Sequence, residues 1–301
     1  MAISRSQLVK ELEPGLNALF GLEYKRYENE HEQIFDKETS DRAFEEEVML
    51  SGFGNAAVKA EGSGVSYDQA QETFTARYTH NTIALAFAIT EEAIEDNLYD
   101  RIASRYTKAL ARSMANTKQV YAANVLNNAF NASYLGGDGV ALCSTSHPTL
   151  AGTFSNTLAT AADLNETSLE QALIDIAAFT DERGLKIAAQ GLKLIIPSAL
   201  QFTADRLMKS AGRVGTSDND INAIKDMGMV PQGYTVNHFL TDSDAFFIKT
   251  DAPNGLKYFE RAPIKTSMEG DFETGNVRYK ARERYSFGWS DPRGIYGSPG
   301  A

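Results

Sequence analysis

The apolar positions are most regular in the segment Thr90–Asn131. A large apolar or aromatic residue stands at every fourth position of its first half, at Ile94, Leu98, Ile102, Tyr106 and Leu110. This spacing predicts a helix with one buried face, for which Thr90 is a suitable N-cap. We predict one long helix with at most one break, near Asn97. At about 1.5 Å per residue it would be roughly 60 Å long, more than one small domain needs.

A second regular pattern, with a period of two, covers Asn276–Trp289. Apolar and aromatic residues occupy one side of the predicted strand, at Val277, Tyr279, Ala281, Tyr285, Phe287 and Trp289. Basic residues occupy the other side, at Arg278, Lys280, Arg282 and Arg284, and only Glu283 interrupts the alternation. A strand of roughly 40 Å needs a long partner, so we expect it beside the long helix, with Trp289 packed under that helix.

A predicted hairpin precedes the long helix. Its strands are Ala43–Leu50 and Thr73–Ile89, and in the second strand the apolar positions change from even to odd numbers. That change indicates a β-bulge near Asn81. The connection Ser51–Glu72 contains four glycines and few apolar residues, and a compact domain rarely keeps so long a loop without a function. We expect a neighbouring molecule to receive this loop.

The rest of the chain predicts an α+β organisation. A short helix at Ser6–Phe20, weakened by Pro14, leads into the charged segment Tyr24–Ser40, which we interpret as an extended arm that buries little. Residues Val140–Asn165 are small and polar and mark a boundary. The elements predicted beyond it are the helices Thr167–Arg183 and Ser198–Ala211, the polar loop Gly212–Asn222, and the strands Gly191–Pro197, Val230–Asn237, Ala245–Lys249 and Leu256–Arg261, the last followed by Pro263.

The composition limits the function classes. The chain has 301 residues, with 40 acidic residues against 29 basic ones and a formal charge of −11. This balance argues against a free-standing nucleic-acid-binding protein, whose affinity depends on cationic contacts with phosphate. The single cysteine, Cys143, excludes a disulfide framework within the chain. No run of about 18 apolar residues occurs and the start of the chain is charged, so neither a membrane span nor a signal peptide is expected.

Short motifs for phosphate and zinc binding are incomplete. The glycines near Gly52 are not spaced as in a phosphate-binding loop, and Lys59 lies at the wrong distance from them. His31 and Glu32 begin a zinc-protease motif, but Phe35 occupies the position of the second histidine. We predict neither site.

A further segment resembles the beginning of a calcium-binding loop. Asp218, Asp220 and Asn222 alternate as the first ligands would, but Ala223 and Met229 stand where glycine and glutamate are required. We predict no calcium site here.

His147 is the residue best suited to catalysis. It lies in the segment Cys143–Pro148, where a cysteine or serine nucleophile paired with this histidine can be imagined. The favoured interpretation is a turn residue before a proline. His80 and His238 fall in strand-like segments and are interpreted as packed or edge residues. We predict no catalytic, cofactor-binding or metal-binding residue.

The basic row Arg278–Arg284 has two interpretations. Its side chains can contact phosphate, or they can form ion pairs with acidic neighbours. We favour the ion pairs.

The order of these elements resembles that of the major capsid proteins of tailed phages with the Hong Kong 97-type fold. That order is an N-terminal arm, a long glycine-tipped hairpin, the turn Ile89–Asp96, a long spine helix, an α+β middle region and a long last strand. The segments Cys143–Pro148 and Arg284–Gly294 look like the Mu-like branch of head subunits. The resemblance covers essentially the whole chain.

The resemblance implies an α+β capsid fold in five parts. These are an N-terminal arm (residues 1–42), an extended loop hairpin (43–89), a peripheral domain with the spine helix (90–139), an axial domain (140–270) and a C-terminal strand that returns to the peripheral domain (271–301). It also implies a structural major head protein that assembles into an icosahedral shell enclosing phage double-stranded DNA. Neither an enzymatic activity nor a cofactor is expected.

The implied partners are further copies of the chain in hexamers and pentamers, a portal, packaged DNA in non-specific contact and, where one is present, a decoration protein. No scaffolding segment precedes the arm, so a separate scaffolding protein is expected. The implied location is the virion, with assembly in the host cytoplasm. Some family members crosslink a lysine of the extended loop to an asparagine of a neighbour. Lys59 is the only lysine there, but no asparagine or catalytic glutamate can be matched, so crosslinking is not expected.

Two alternatives from other classes stay open. One is an encapsulin-like nanocompartment shell of the same fold, which needs a groove that docks cargo. The other, less favoured, is a soluble α+β hydrolase that uses His147. The contents of purified particles would separate a capsid from a nanocompartment, and a soluble monomer with turnover would favour the hydrolase.

Overall fold

The computed structural model describes residues 5–90, 92–93, 99–213, 220–271 and 274–301. Its helices are α1 (Arg5–Tyr24), α2 (Tyr99–Asn127), α3 (Glu166–Ala177), α4 (Gln201–Lys209) and α5 (Ala223–Asp226). Its strands are β1 (Asp36–Thr39), β2 (Phe44–Leu50), β3 (Glu72–Thr79), β4 (Asn81–Ile89), β5 (His147–Thr149), β6 (Gly152–Phe154), β7 (Gly191–Ile196), β8 (Tyr234–Val236), β9 (Phe246–Thr250), β10 (Leu256–Gly270), β11 (Val277–Trp289) and β12 (Ile295–Ser298). Short 3-10 turns occupy Glu30–Gln33, Ser198–Leu200 and Pro292–Gly294.

The first sheet has the strand order β1-β10-β11-β4. Strand β1 runs parallel to β10, and the other pairs are antiparallel. Helices α1 and α2 pack against one face, and the side chains buried between them and the sheet include Leu16, Phe20, Leu110, Met114 and Tyr279. The prediction that the last strand lies beside the long helix is therefore confirmed.

The segment that follows α1 buries more than the sequence suggested. Ile34 and Phe35 are 0% and 3% exposed and join the core formed by α2, β10 and β11. Residues Asp36–Thr39 then pair with β10. The prediction of an arm that buries little is wrong here, because two neighbouring apolar residues anchor an otherwise charged segment.

The second sheet has the strand order β12-β9-β7-β8 and is buried on both faces. Helices α3 and α4 cover one face, with Ile176, Leu194 and Ile248 in the core between them. Ile195 and Phe247 face the other way and pack with residues near the end of α2. A strand buried on both faces needs a continuous apolar run, which explains the sequence of β7.

The hairpin consists of β2 and β3 alone, joined by residues 51–71. The predicted second strand is divided at His80, after which β4 leaves β2 and pairs with β11 in the first sheet. The β-bulge predicted near Asn81 is therefore wrong, although the chain does change direction there. The apolar positions change parity because β3 and β4 face different cores.

Two predicted helix ends differ from the structure. Helix α2 ends at Asn127 rather than Asn131, while Glu91 and residues 94–98, in the first part of the predicted helix, lie outside the described residues. Helix α3 ends at Ala177 rather than Arg183. Its first turn follows a capping box in which Asn165 and Ser168 exchange hydrogen bonds.

Strand β10 is much longer than predicted. It continues through Pro263 to Gly270, and its pairing with β11 is irregular between Ala262 and Lys265. A proline is tolerated at such a place because no ladder hydrogen bond from its nitrogen is required. Strands β5 and β6 also form a small hairpin inside the predicted loop Val140–Asn165.

The sheets do not separate at residue 270, where a domain boundary was predicted. Strand β10, inside the predicted axial segment, belongs to the first sheet, and β12, inside the predicted returning strand, belongs to the second. The division into capsid domains stays a prediction.

Candidate assembly surfaces

A polar cluster fixes the base of the β2–β3 hairpin to the first sheet. Glu47 accepts hydrogen bonds from Lys257 and Ser290, and the Tyr78 hydroxyl lies 2.5 Å from the Ser290 hydroxyl. Lys257 also pairs with Glu38 at 2.9 Å. Burial alone would lower the pKa of Lys257, but the two carboxylates outweigh burial and raise it. The lysine is therefore charged and holds the hairpin to β10.

Close packing also holds the second hairpin strand against the body of the subunit. A Cβ atom at Gly137 would lie 2.6 Å from the Thr75 carbonyl oxygen, and one at Gly288 would lie 2.8 Å from the Tyr78 ring. The Tyr78 ring packs edge-on against Phe259, with centroids 4.7 Å apart. These two glycines are needed because any side chain would push the hairpin away from the body of the subunit.

The loop 51–71 at the tip of the hairpin has little support from its own subunit. Its exposed apolar side chains are Phe53, Val58, Val65 and Tyr67, and Tyr67 is 96% exposed. Asp68 pairs with Arg183 at 3.0 Å and accepts a hydrogen bond from the Gly54 nitrogen. Backbone N–H groups of Gly54 and Gln69 lower the pKa of Asp68. This contact steadies the returning side of the loop and leaves its tip uncovered.

A buried ion pair joins α1, α2 and β11. Lys118 and Glu283 lie 2.6 Å apart, with side chains 12% and 1% exposed. Lys118 donates to the Tyr24 hydroxyl at 2.8 Å, and this hydroxyl donates to Glu283 at 3.1 Å. Burial raises the pKa of Glu283, and Lys118 offsets only part of that rise. The residue that interrupted the alternation of β11 is thus the anchor for both helices.

His147 is held by structural contacts at both ring nitrogens. It is buried at the start of β5 rather than in the predicted turn, with Nδ1 2.5 Å from Asp138 and Nε2 3.1 Å from Asn156. Asn156 also donates to the backbone oxygens of Leu142 and Pro292. Cys143 is buried, and burial raises the pKa of its thiol, which disfavours the nucleophilic thiolate. Both ring nitrogens of His147 thus contact Asp138 and Asn156 rather than Cys143 or a serine of the same segment.

His31 and His80 are buried in separate places. His31 contacts Gln119 of α2 at 3.2 Å, and burial lowers its pKa. His80 lies between the hydroxyls of Ser40 and Ser286 at 2.9 and 3.0 Å, and burial lowers its pKa as well. Both histidines are packing residues, as predicted for His80.

The other sequence candidates do not converge. His238 lies in a turn rather than a strand, and its Nδ1 is 2.6 Å from Glu30. Asn222 caps α5 and is buried, while Asp218 lies outside the described residues. Lys59 is exposed in the loop. Across the described ranges no group of three or more His, Cys, Asp or Glu side chains is arranged to hold a metal ion, and no helix has the length and apolarity to cross a membrane.

The basic row of β11 is mostly unpaired. Arg278 forms an ion pair with Asp271. Within the part of the chain that the structure describes, no ion pair involves Lys280, Arg282 or Arg284. Among the described residues of its own subunit, the row therefore forms the favoured ion pairs at one of its four residues, and for the other three the interpretation stays a prediction.

Comparison with known proteins identifies the family. Residues 72–298 match the model of the phage capsid protein family. The chain belongs to the phage capsid protein family. As a member of that family, it is a structural capsid protein, and its location is the virion. A search of curated proteins finds no match.

Solved structures show the same fold for this capsid protein. The capsid of the cyanophage P-SCSP1u has a TM-score of 0.57 at 12% identity, covering 89% of this chain and 86% of that chain. The structure from Mycobacterium phage Adephagia has a TM-score of 0.52 at 12% identity, covering 90% of each chain. The virus-like particle from Pyrococcus furiosus has a TM-score of 0.53 at 11% identity, covering 95% of this chain and 98% of that chain. These likenesses confirm the predicted Hong Kong 97-like capsid fold.

The sequence did not reveal the residues that fix the surfaces of the capsid protein. Lys118, Glu47 and Lys257 were missed, because their partners are far apart along the chain. The only local signal was Glu283, an acidic residue on the apolar side of a strand. A charge in such a position needs a buried partner of opposite sign.

Proposed function

We propose that this capsid protein assembles into hexamers and pentamers that close an icosahedral shell around double-stranded DNA. The arm, the β2–β3 hairpin and α2 supply the contact surfaces between copies. In this proposal, residues 1–42, 43–89, 90–139, 140–270 and 271–301 act as arm, extended loop, peripheral domain, axial domain and returning strand. Self-assembly is the function of the family, while the arrangement in hexamers and pentamers is our proposal.

The observation that carries the proposal is the contrast between the two ends of the hairpin. Its base is fixed by Glu47, Lys257 and the backbone contact at Gly137, whereas Val58 and Tyr67 at its tip are almost fully exposed. Exposed apolar side chains on a well-supported projection indicate a surface that another molecule covers. In a shell made of one chain, that molecule is a neighbouring copy.

The test replaces residues 55–64 by a short turn. Gly54, Asp68 and Arg183 remain, so the contact with the same subunit is kept. The melting temperature measured by circular dichroism should stay close to wild type, because shortening a loop changes its closure entropy by only about 1 kcal/mol. Sedimentation velocity, with the scaffolding partner supplied, should show subunits and no closed shells.

A matched control keeps the loop length and changes Val58 and Tyr67 to serine. It should also assemble poorly if their burial against a neighbour drives docking. Should the shortened protein unfold, the loop would belong to the core of the subunit. Normal shells from the shortened protein would show that the loop has no role in assembly.

We further propose that the protein belongs to the Mu-like branch of head subunits. The two segments that carry this likeness, Cys143–Pro148 and Arg284–Gly294, lie together in the structure. Asn156 bridges them by donating to the backbone oxygens of Leu142, just before the first segment, and Pro292 in the second. This buried contact supports treating the two segments as one structural feature.

The proposed partners are a separate scaffolding protein, a portal, packaged DNA in non-specific contact and, where one is present, a decoration protein. Assembly takes place in the host cytoplasm. The protein has no active site in this proposal, which rests on the occupied nitrogens of His147 and the buried thiol of Cys143.

A further inference from the structure

The face of the first sheet opposite α1 and α2 carries a row of cations. Arg278, Lys280, Arg282 and Arg284 alternate along β11 with buried residues on the helix side. Lys265 of β10 lies directly opposite Arg282. We name these five residues the basic sheet face. At about 3.4 Å per residue, the row on β11 is roughly 20 Å long.

Among the described residues, the subunit neutralises this charge only at one end of the row, where Glu269 of β10 lies directly opposite Arg278. Arg278 pairs with Asp271, whereas the other four cations take part in no ion pair between described residues. Lys265 and Arg282 face each other across the strands, and like charges in that position destabilise a sheet. Since the chain has 40 acidic residues and 29 basic ones, the cations are not unpaired for lack of acids. An anionic group from outside the subunit would remove the repulsion.

The neighbouring strand leaves Arg278, Lys280 and Arg282 exposed, while Arg284 is partly buried. On β4 the cross-strand partners of the basic row are short side chains, at Ala88, Ala86, Ala84 and Thr82. All four are exposed. The row therefore borders a surface of short side chains, which leaves room for an acidic segment of another molecule.

We propose that the basic sheet face binds the acidic arm of a second copy in the shell. Within the arm, Glu28–Arg42 contains six acidic residues and two basic ones, and three of the acids, Glu30, Asp36 and Glu38, pair within their own subunit. Glu28, Glu32 and Asp41 are exposed, and none of them is ion-paired within the described ranges. Because each copy has a formal charge of −11, copies repel one another, and a cationic face against an acidic arm replaces repulsion by attraction where they touch. The inference rests on the proposed function, since it needs a shell of copies.

The substitution Arg282→Glu gives opposite results in the monomer and in the shell. In the monomer the new carboxylate faces Lys265, so the melting temperature should equal or slightly exceed that of wild type. In the shell it faces the acidic arm. Sedimentation velocity at about 0.1 M salt, where exposed charges within about 10 Å still interact, should show a fall in the assembly equilibrium constant of about tenfold or more.

A rescue identifies the occupant. The reversals Glu28→Lys, Glu32→Lys and Asp41→Lys are made one at a time in the Arg282→Glu chain. The one whose residue contacts position 282 should restore particles, because a new lysine then meets the new glutamate while the remaining cations still meet acidic residues.

A control separates the contact from net charge. Lys186→Glu changes the net charge as Arg282→Glu does, at an exposed lysine outside every ion pair of the described residues. It should assemble as wild type does. An equal defect in this control would assign the effect to net charge and overturn the proposal.

Other outcomes of these experiments would also decide whether the basic sheet face binds an acidic arm. Normal assembly of Arg282→Glu, a lowered melting temperature of its monomer, or failure of the rescue would each overturn the proposal. Particles that form normally but hold less DNA would assign the face to nucleic acid instead. A wild-type chain that forms no particles would contradict the proposed function itself, before the basic sheet face is tested.

Discussion

The two sheets of this capsid protein are stabilised in different ways. The second sheet packs α3 and α4 through aliphatic and aromatic side chains such as Ile176, Leu194 and Ile248, which are fully buried. The first sheet also has an apolar core, but it holds α1 and α2 partly through the Lys118–Glu283 pair and the Tyr24 hydroxyl between them. The second sheet adds hydrogen bonds from Tyr296 to Asp175 of α3 and from Tyr234 to Asp205 of α4, whereas the first sheet adds a buried ion pair.

The two kinds of contact differ in how precisely they fix the positions of the helices on each sheet. Apolar contacts tolerate small shifts of a helix, whereas an ion pair with a bridging hydroxyl requires one position of all three elements. Tyr24 comes from the arm, Lys118 from α2 and Glu283 from the last strand. The network therefore fixes the arm on the part of the subunit from which the hairpin projects.

The largest expected effect is that of Lys118→Met. It keeps most of the volume but leaves Glu283 as an unpaired buried charge, which typically costs about 3–5 kcal/mol of folding free energy. The double variant Lys118→Met with Glu283→Leu removes both charges and should recover most of this loss. Urea unfolding of wild type, Lys118→Met, Glu283→Leu and the double variant measures these free energies. A loss in the single variant below about 1 kcal/mol would show that the pair is solvated in solution.

The pH dependence sharpens this prediction. The folded-state pKa of Glu283 is raised, and removing Lys118 raises it further. Between the unfolded and the folded pKa the folded state holds more protons, so stability falls as the pH rises through that window. The defect of Lys118→Met should therefore shrink on acidification. His31, whose pKa is lowered by burial and further by the Lys118 charge, contributes a slope of opposite sign. Without Lys118 that slope becomes smaller, which also makes the defect of the variant shrink on acidification.

A smaller loss is expected for Leu194→Ala in the second sheet. The substitution leaves a cavity in a fully buried apolar site and should cost about 3 kcal/mol. No titratable group changes, so the loss should be the same at pH 5 and pH 8. A defect that varies strongly with pH would show that the two sheets are not stabilised as differently as described.

The smallest loss is expected for Trp289→Ala. The sequence placed Trp289 under the long helix, but the ring is only partly buried and its nitrogen lies over Gly136, beyond the end of α2. Removing a half-buried ring should cost about 2 kcal/mol, less than for a fully buried one. The melting temperature should fall by a few degrees and the protein should stay folded. Complete unfolding would instead support the prediction that this ring packs under the long helix.

Local sequence patterns correctly predicted the elements whose formation depends little on which strand or helix they contact. The period of β11, the long apolar stripe of α2 and the glycine-rich loop are all visible within a few dozen residues. The division of the predicted strand at His80 was visible only as a change of parity. Whether such a change means a bulge or a strand that changes sheets depends on β11, some 200 residues away, and no local pattern contains that information.

The candidate surfaces were predictable in outline and not in chemistry. The exposed loop followed from its composition, but its rigid base depends on Glu47 meeting Lys257 and on Gly137 meeting Thr75. Pro263 was interpreted as the end of β10, although the strand continues through it at an irregular place. These errors share a cause, since each concerns pairing between distant parts of the chain.

The rigid base of the hairpin has a mechanical consequence. A force applied to the loop acts on a lever whose fulcrum is the cluster of Glu47, Lys257 and Ser290, backed by the contact of Thr75 with Gly137. Rotating the hairpin about this cluster would break the Glu47–Lys257 ion pair and displace packed backbone, whereas bending the exposed loop would break few contacts. A pull on the tip is thus delivered as torque to β10 and to the segment after α2. In the proposed shell, the hairpin base and the subunit body would therefore turn together.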